Sequence, residues 1–171
     1  MTRSITKHPL SAVLIGLSVL AGCGKSSRPT PPAAAHDCLA RAMYFESNRS
    51  SRDGMIAVGS VVMNRVQSDL FPNTICGVVS QKNQFAPGVM SRKMDGRSAA
   101  LARDAARAVY HGERHPHIAN AKFFHAAGYQ ANYNNMHYVL TAGGNAFYEK
   151  RRPEKVSVPR PLPPTEGLTG Q

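Results

Sequence analysis

At 171 residues, with 42% hydrophobic side chains, the chain is long enough for one cored domain with tails and too short for several. A net charge of +11 calls for a polyanionic partner, yet no aromatic-interleaved basic motif of a nucleic-acid binder is present. The one long apolar run is too short to span a bilayer as a helix.

That run, Leu10 to Ala21, follows a basic start carrying Arg3 and Lys7 and ends in Leu20-Ala-Gly-Cys23. Residues 1–22 therefore read as a secretory signal, and the small residues ahead of Cys23 as a lipobox, in which the Cys becomes the lipidated mature N-terminus. The expected address is an exported lipoprotein facing the periplasm from the outer membrane, since Gly24 rather than Asp follows the Cys. Losing Arg3 and Lys7 with the leader takes the net charge from +11 to about +9, so the polyanion there would be cell wall or anionic lipid rather than nucleic acid. Residues 23–35, rich in Pro, Ser and Ala, read as a tether. A folded domain is expected over residues 36–150, followed by a disordered tail over residues 151–171 with Pro153, Pro159, Pro161, Pro163 and Pro164.

Within the domain, Asp37 is a candidate N-cap for a helix running to Ser47. Leu39, Ala42, Met43 and Glu46 share one face of it at helical spacing, so a carboxylate sits on the stripe that should face the core. Burying a charge is costly. Two readings stand: a paired or half-exposed helix-end Glu46, or a cleft-facing Glu46 whose raised pKa suits a general acid. A second helix over residues 53–67 is apolar all round, which marks it as the central buried helix, with Ala57 and Gly59 permitting close approach by a neighbour. Asn64 and Arg65 are unusual among its apolar residues; Arg65 suits the negative helix end or a carboxylate partner.

Thr74 is placed to cap a short helix over residues 75–80, and a polar loop follows to Gly88 with Phe85 its one aromatic. Ser98 is the candidate cap of a helix over residues 99–111 that Gly112 and Pro116 end. Residues 122–125 read as extended, and the amide- and tyrosine-rich remainder as loops with a short hairpin. The Lys150-Arg-Arg152 cluster reads as a solvated domain edge. Once Cys23 is lipidated, Cys38 and Cys76 remain, and in an oxidising compartment they read as a disulfide, with two free buried thiols as the alternative.

Met43-Tyr-Phe-Glu46, Gly54, Ala57-Val58, Val61-Val-Met-Asn-Arg-Val66, Phe71-Pro72, Ile75-Cys-Gly-Val-Val79, Asn83-Gln-Phe85 and Phe124-His-Ala126 together resemble the SleB/CwlJ-type cell wall hydrolases. The resemblance runs over about residues 38–148. It implies a mainly α (α+β), lysozyme-like and lytic-transglycosylase-like domain acting on peptidoglycan glycan strands, with the family's acid at Glu46. This chain departs from the pattern at Ser47, where Ala is common, at Ser50-Ser-Arg-Asp53, where a Gly-Glu-Pro run is usual, and in having no Trp.

Hydrolysing a glycosidic bond normally takes two carboxylates. Of the ten acidic residues none stands out as a partner for Glu46, Asp53 and Asp95 being the best of a weak group. A one-carboxylate lytic transglycosylation on the MurNAc–GlcNAc bond fits better, with no cofactor and no metal. Gln84, Phe85, His125, Tyr133 and Tyr138 are the candidate substrate-binding residues, against a plain core reading for Phe85 and Phe124. A zinc amidase built on His111, His115, His117, His125 and His137 is the rival enzyme, although no recognised ligand spacing is present. A non-catalytic peptidoglycan-binding lipoprotein is the rival outside enzymes. The chain is expected to act as a monomer.

Overall fold

The computed structural model describes residue 1 and residues 32–170; the leader, Cys23 and most of the tether lie outside the described residues. Four helices come first: α1 (Pro32–Glu46), α2 (Arg52–Val66), α3 (Ile75–Val79) and α4 (Gly96–Tyr110). Three strands follow, β1 (Phe123–Ala126), β2 (Met136–Ala142) and β3 (Asn145–Lys150), then a single 3-10 turn at Pro153–Lys155. The strands form one antiparallel sheet in the order β1-β3-β2, so the expected α+β domain with a hairpin is what the chain adopts.

Helix α2 is the axle. Met55, Ile56, Ala57, Val58, Val61 and Val62 are all fully buried, as an all-round apolar helix must be. Ser51 caps it, its Oγ accepting the Gly54 N–H at 2.8 Å. At Gly59 a Cβ would stand 2.1 Å from Met43 Cε and 3.3 Å from Val109, so α1 and α4 both close on α2 where its side chain is missing. Helix α1 presents Leu39, Ala42 and Met43 to that core. It begins earlier than expected: Pro32 fits the first helical turn, three alanines favour helix, and Asp37 lies inside, paired with Arg41 one turn on. Helix α4 likewise starts at Gly96 behind Asp95, not at Ser98. Thr74 caps α3 as its sequence implied, accepting from Gly77 N–H at 3.1 Å.

Cys38 and Cys76 are bonded, which ties α1 to α3. In the chain-entropy view a loop of that length stabilises the fold by about 3–4 kcal/mol. The hairpin β2–β3 turns on Gly143 and Gly144, both at positive φ, which glycine adopts without strain. Its turn presses on the start of α2: a Cβ on Gly54 would meet Gly143 Cα at 2.4 Å.

The tail differs from the expected disorder. Its prolines do exclude a helix beyond the short turn, but residues 157–170 form a strap bonded to the domain. Tyr138 N–H donates to Val158 O at 3.0 Å and Thr165 N–H to Thr141 O at 2.8 Å, both along the edge of β2 that β3 leaves open. Farther on, Leu168 and Thr169 N–H donate to buried Asp53 at 2.8 and 2.9 Å. The domain therefore extends past residue 150, and its helical part reaches back to residue 32.

Candidate active site

Glu46 is the last residue of α1. The apolar stripe that buries Leu39 and Met43 carries its side chain inward, but the helix ends there, so the carboxyl emerges half-buried at the mouth of a cleft rather than in the core. The cleft is about 720 Å3 and lies between the 83–86 loop and the sheet. Ser47 and Asn145 fix the helix end: Ser47 Oγ donates to Met43 O at 2.7 Å, and Asn145 Nδ2 to Glu46 O at 2.6 Å. Asn48 N–H, just beyond, donates to Gly143 O at 2.7 Å. The hairpin turn thus holds the backbone from which Glu46 projects.

Burial raises the Glu46 pKa above its ordinary value; the Ala86 N–H, which donates to Oε1, and the Arg65 charge pull the other way without cancelling it. A carboxyl in this state is a proton donor nearer neutrality than a solvated one. Arg65 is 3% exposed, and burial pushes its pKa down to about 10 against the attraction of Tyr148 and Glu46. Its Nε donates to Lys122 O at 2.7 Å, while neighbouring Asn64 Nδ2 donates to Ala119 O and Ala121 O at 3.1 and 2.9 Å. These two polar residues, out of place on an apolar helix, anchor the segment that leads into β1.

Of the expected binding residues, Gln84, Phe85 and His125 line the cleft with Glu46. Phe85 and Phe124 are both half-buried, packed on the core and lining the cleft wall, their rings 6.4 Å apart. His125 has no nitrogen to spare: Nδ1 meets Ala126 O at 2.9 Å and Nε2 meets the Tyr138 hydroxyl at 2.7 Å. It offers ring surface, not a free donor. Tyr138 is buried behind it and faces a separate hollow under Pro159 and Pro161. Tyr133 is 71% exposed and does not line the cleft. The aromatic surface comes instead from Phe123 and Tyr148, whose rings stack at 5.6 Å. Both lie at strand positions: Phe123 in the segment expected to be extended, and Tyr148, paired with it across β1 and β3, in the remainder read as loops with a short hairpin.

Glu46 is the only carboxylate lining the cleft among the described residues. Asp53 is held by the strap, and Asp95 is met by the Tyr44 hydroxyl at 3.4 Å, so neither of the two considered partners reaches it. The histidines do not converge: among the described residues no group of three or more His, Cys, Asp and Glu could hold a metal ion.

A family model described as Cell Wall Hydrolase matches residues 49–148, more than half of the chain. Among curated proteins, a spore cortex-lytic enzyme of Bacillus subtilis (strain 168) is 33% identical over 69 residues, 40% of this chain and 21% of its own. That of Oceanobacillus iheyensis is 35% identical over 69 residues, 40% of this chain and 23% of its own. The chain thus spans under a quarter of the length of these relatives. Among solved structures, the catalytic domain of the germination-specific lytic transglycosylase SleB from Bacillus anthracis superposes with a TM-score of 0.56 at 25% identity, covering 67% of this chain and 93% of that one. The SleB catalytic domain of Bacillus cereus gives 0.57 at 24% identity, covering 75% of this chain and all of that one, a likeness of fold.

Proposed function

The chain belongs to the cell wall hydrolase family, and on that premise we propose that it cleaves the MurNAc–GlcNAc bond of peptidoglycan as a lytic transglycosylase, with Glu46 as its single acid/base. The observation that carries this reading is a lone, half-buried carboxyl of raised pKa at the head of an aromatic-walled cleft. Glu46 donates its proton to the glycosidic oxygen as the C1–O bond breaks, and the bonding pair leaves with the GlcNAc oxygen. Positive charge builds on the muramic acid C1 and ring oxygen. The Glu46 carboxylate then takes the proton of the muramic acid 6-hydroxyl as that oxygen closes on C1. The products are a 1,6-anhydromuramic end and a GlcNAc hydroxyl; no water enters, so no second carboxylate is needed to activate one. Asn145, Ser47 and Ala86 keep the acid in place between the two steps.

Mass spectrometry of muropeptides released from purified sacculi tests this, and anhydro ends are expected. Reducing ends in their place would make the enzyme a hydrolase. Free stem peptides, lost on chelation, would make it an amidase, and retention on sacculi without any cut would make it a binding protein.

The same proposal puts the enzyme outside the inner membrane, tethered through a lipid on Cys23. Support comes from the order of basic start, apolar run, Ala21-Gly22 and Cys23. Labelled palmitate should enter the full-length chain and fail to enter its Cys23→Ala variant; equal labelling of both sinks the anchor.

A further inference from the structure

Two cations stand on the cleft wall against its single carboxylate, Arg65 on α2 and Lys150 at the end of β3. Arg65 is short of acceptors. Its Nε is used by Lys122 O, its Nη1 is sealed from solvent with no hydrogen-bond partner, and its Nη2 makes no hydrogen bond within the described residues. Aromatic rings stand in for acceptors: Phe71, Phe85 and Phe123 lie 5.2, 5.4 and 5.9 Å from its Cζ. Lys150 forms no ion pair among the described residues, and its Nζ lies 4.4 Å from the centre of that same Phe123 ring. One aromatic side chain therefore carries both charges on one wall. The sequence alone made Lys150 part of a solvated edge; the strand register turns it into the cleft.

When Glu46 holds the proton it needs as an acid, the lining carries two positive charges and no negative one. A buried cation without a counter-charge is unfavourable, and an anion entering the cleft would relieve it. Arg65 supplies a fixed donor and Lys150 a mobile one at the rim. We propose that Arg65 and Lys150 form a subsite for the carboxylate that a muramic acid residue carries on its lactyl substituent, either the lactyl carboxylate itself or those of an attached stem peptide. The inference rests on the glycan-strand reading and adds a selectivity: charged strands are preferred over neutral ones. The net positive charge of the chain, +11 before the leader is lost, would draw any such strand to the surface, whereas this wall lies beside Glu46.

The test compares three substrates: native strands, strands stripped of peptide so that only lactyl carboxylates remain, and strands whose carboxylates are neutralised with methylamine and a carbodiimide. The wild-type chain should show kcat/KM about tenfold higher on native than on neutralised strands, with the ratio shrinking as salt rises. Lys150→Gln, at an exposed position, should lose most of that ratio through KM, and Lys150→Arg should keep it. The lactyl carboxyl is an amide wherever a stem peptide is attached, so stripped strands that behave as native show that a freed lactyl carboxylate fills the subsite as well as a stem-peptide carboxylate does; stripped strands that behave as neutralised identify the stem peptide as the ligand. Equal turnover of native and neutralised strands by the wild type, or an undiminished ratio in Lys150→Gln, overturns the subsite. Failure to find new glycan ends, anhydro or reducing, from any of the three strikes the glycan-strand reading instead, so the two can be told apart.

Discussion

Replacing Glu46 with Gln is expected to lower turnover of glycan strands by about 10²- to 10⁴-fold, the range for removing a general acid, without lowering the stability of the fold at neutral pH. The two halves of that result have one cause. Burial raises the carboxyl's pKa, so the folded chain favours the protonated form. A group whose pKa is raised on folding contributes stability that is present in full below its ordinary value of 4.5 and is lost as pH rises through its folded value. At neutral pH the wild type therefore carries a cost that Gln does not. Gln keeps the shape, its carbonyl oxygen can still accept the Ala86 N–H, and it brings no charge. Thermal melts at pH 7 should show Glu46→Gln level with or above the wild type, while anhydro-muropeptide release collapses. The alkaline limb of the wild-type pH profile should follow Glu46, falling as pH rises through a value above 4.5. Activity surviving in Glu46→Gln would remove the acid from the mechanism; a melt falling together with activity would make Glu46 a structural residue.

That Glu46 stands on an inward stripe was legible from Leu39, Ala42 and Met43, because a helix places residues three and four apart on one face whatever surrounds it. The buried character of α2 and the Thr74 cap were legible for the same reason: each is written in neighbouring residues, whereas the short hairpin was expected without the Gly143-Gly144 turn that closes it. The Cys pair was legible by elimination once export was assumed. The start of α1 was misread because Asp37 has the chemistry of a cap, while the weaker signal, a proline followed by three alanines, looked like tether; tertiary packing of Ala35 decides between them. In the site, Gln84 and Phe85 follow Glu46 into one cleft because their loop delivers Ala86 to its carboxylate. Tyr133 and Tyr138 do not, because which face a strand or loop residue takes depends on register, and the bulge between Tyr138 and Leu140 resets it. Phe123 and Tyr148 reach the cleft through their pairing across β1 and β3, and Lys150 sits opposite Met136 on β2, partners set by residues distant in sequence.

The tail is the largest such non-local feature, and its removal gives the second prediction. A chain ending at residue 152 keeps everything the family model covers, yet it is expected to be less stable and prone to association. The strap is held chiefly by two carboxylates. Asp53, 2% exposed, accepts the Leu168 and Thr169 N–H groups and the Thr169 hydroxyl. Glu166 accepts the Ser51 hydroxyl at 2.6 Å and the Gly143 N–H at 2.8 Å. Hydrogen bonds to charged groups are worth about 1.5–3 kcal/mol each, and losing the equivalent of one of them lowers the melting temperature by roughly 5–10 °C for a domain of this size. Burial works against ionising Asp53, but the bonds from Leu168 and Thr169 outweigh it and the pKa is lowered. Its contribution is thus present above the ordinary value of 3.8 and lost as pH falls through the folded one, so the gap between full-length and truncated chains should narrow in acid. Truncation also bares the edge of β2 that Val158 and Thr165 now occupy, and an open edge recruits other strands. The hairpin turn would lose Glu166 beneath Gly143, the residue whose carbonyl holds Asn48 and with it the end of the Glu46 helix. Activity should therefore fall in kcat even at temperatures where the truncated chain stays folded, and light scattering should report its association. Identical melts and turnover for the two lengths would reduce the strap to a passive tail, and Glu46 would then owe its placement to α1 and the hairpin alone.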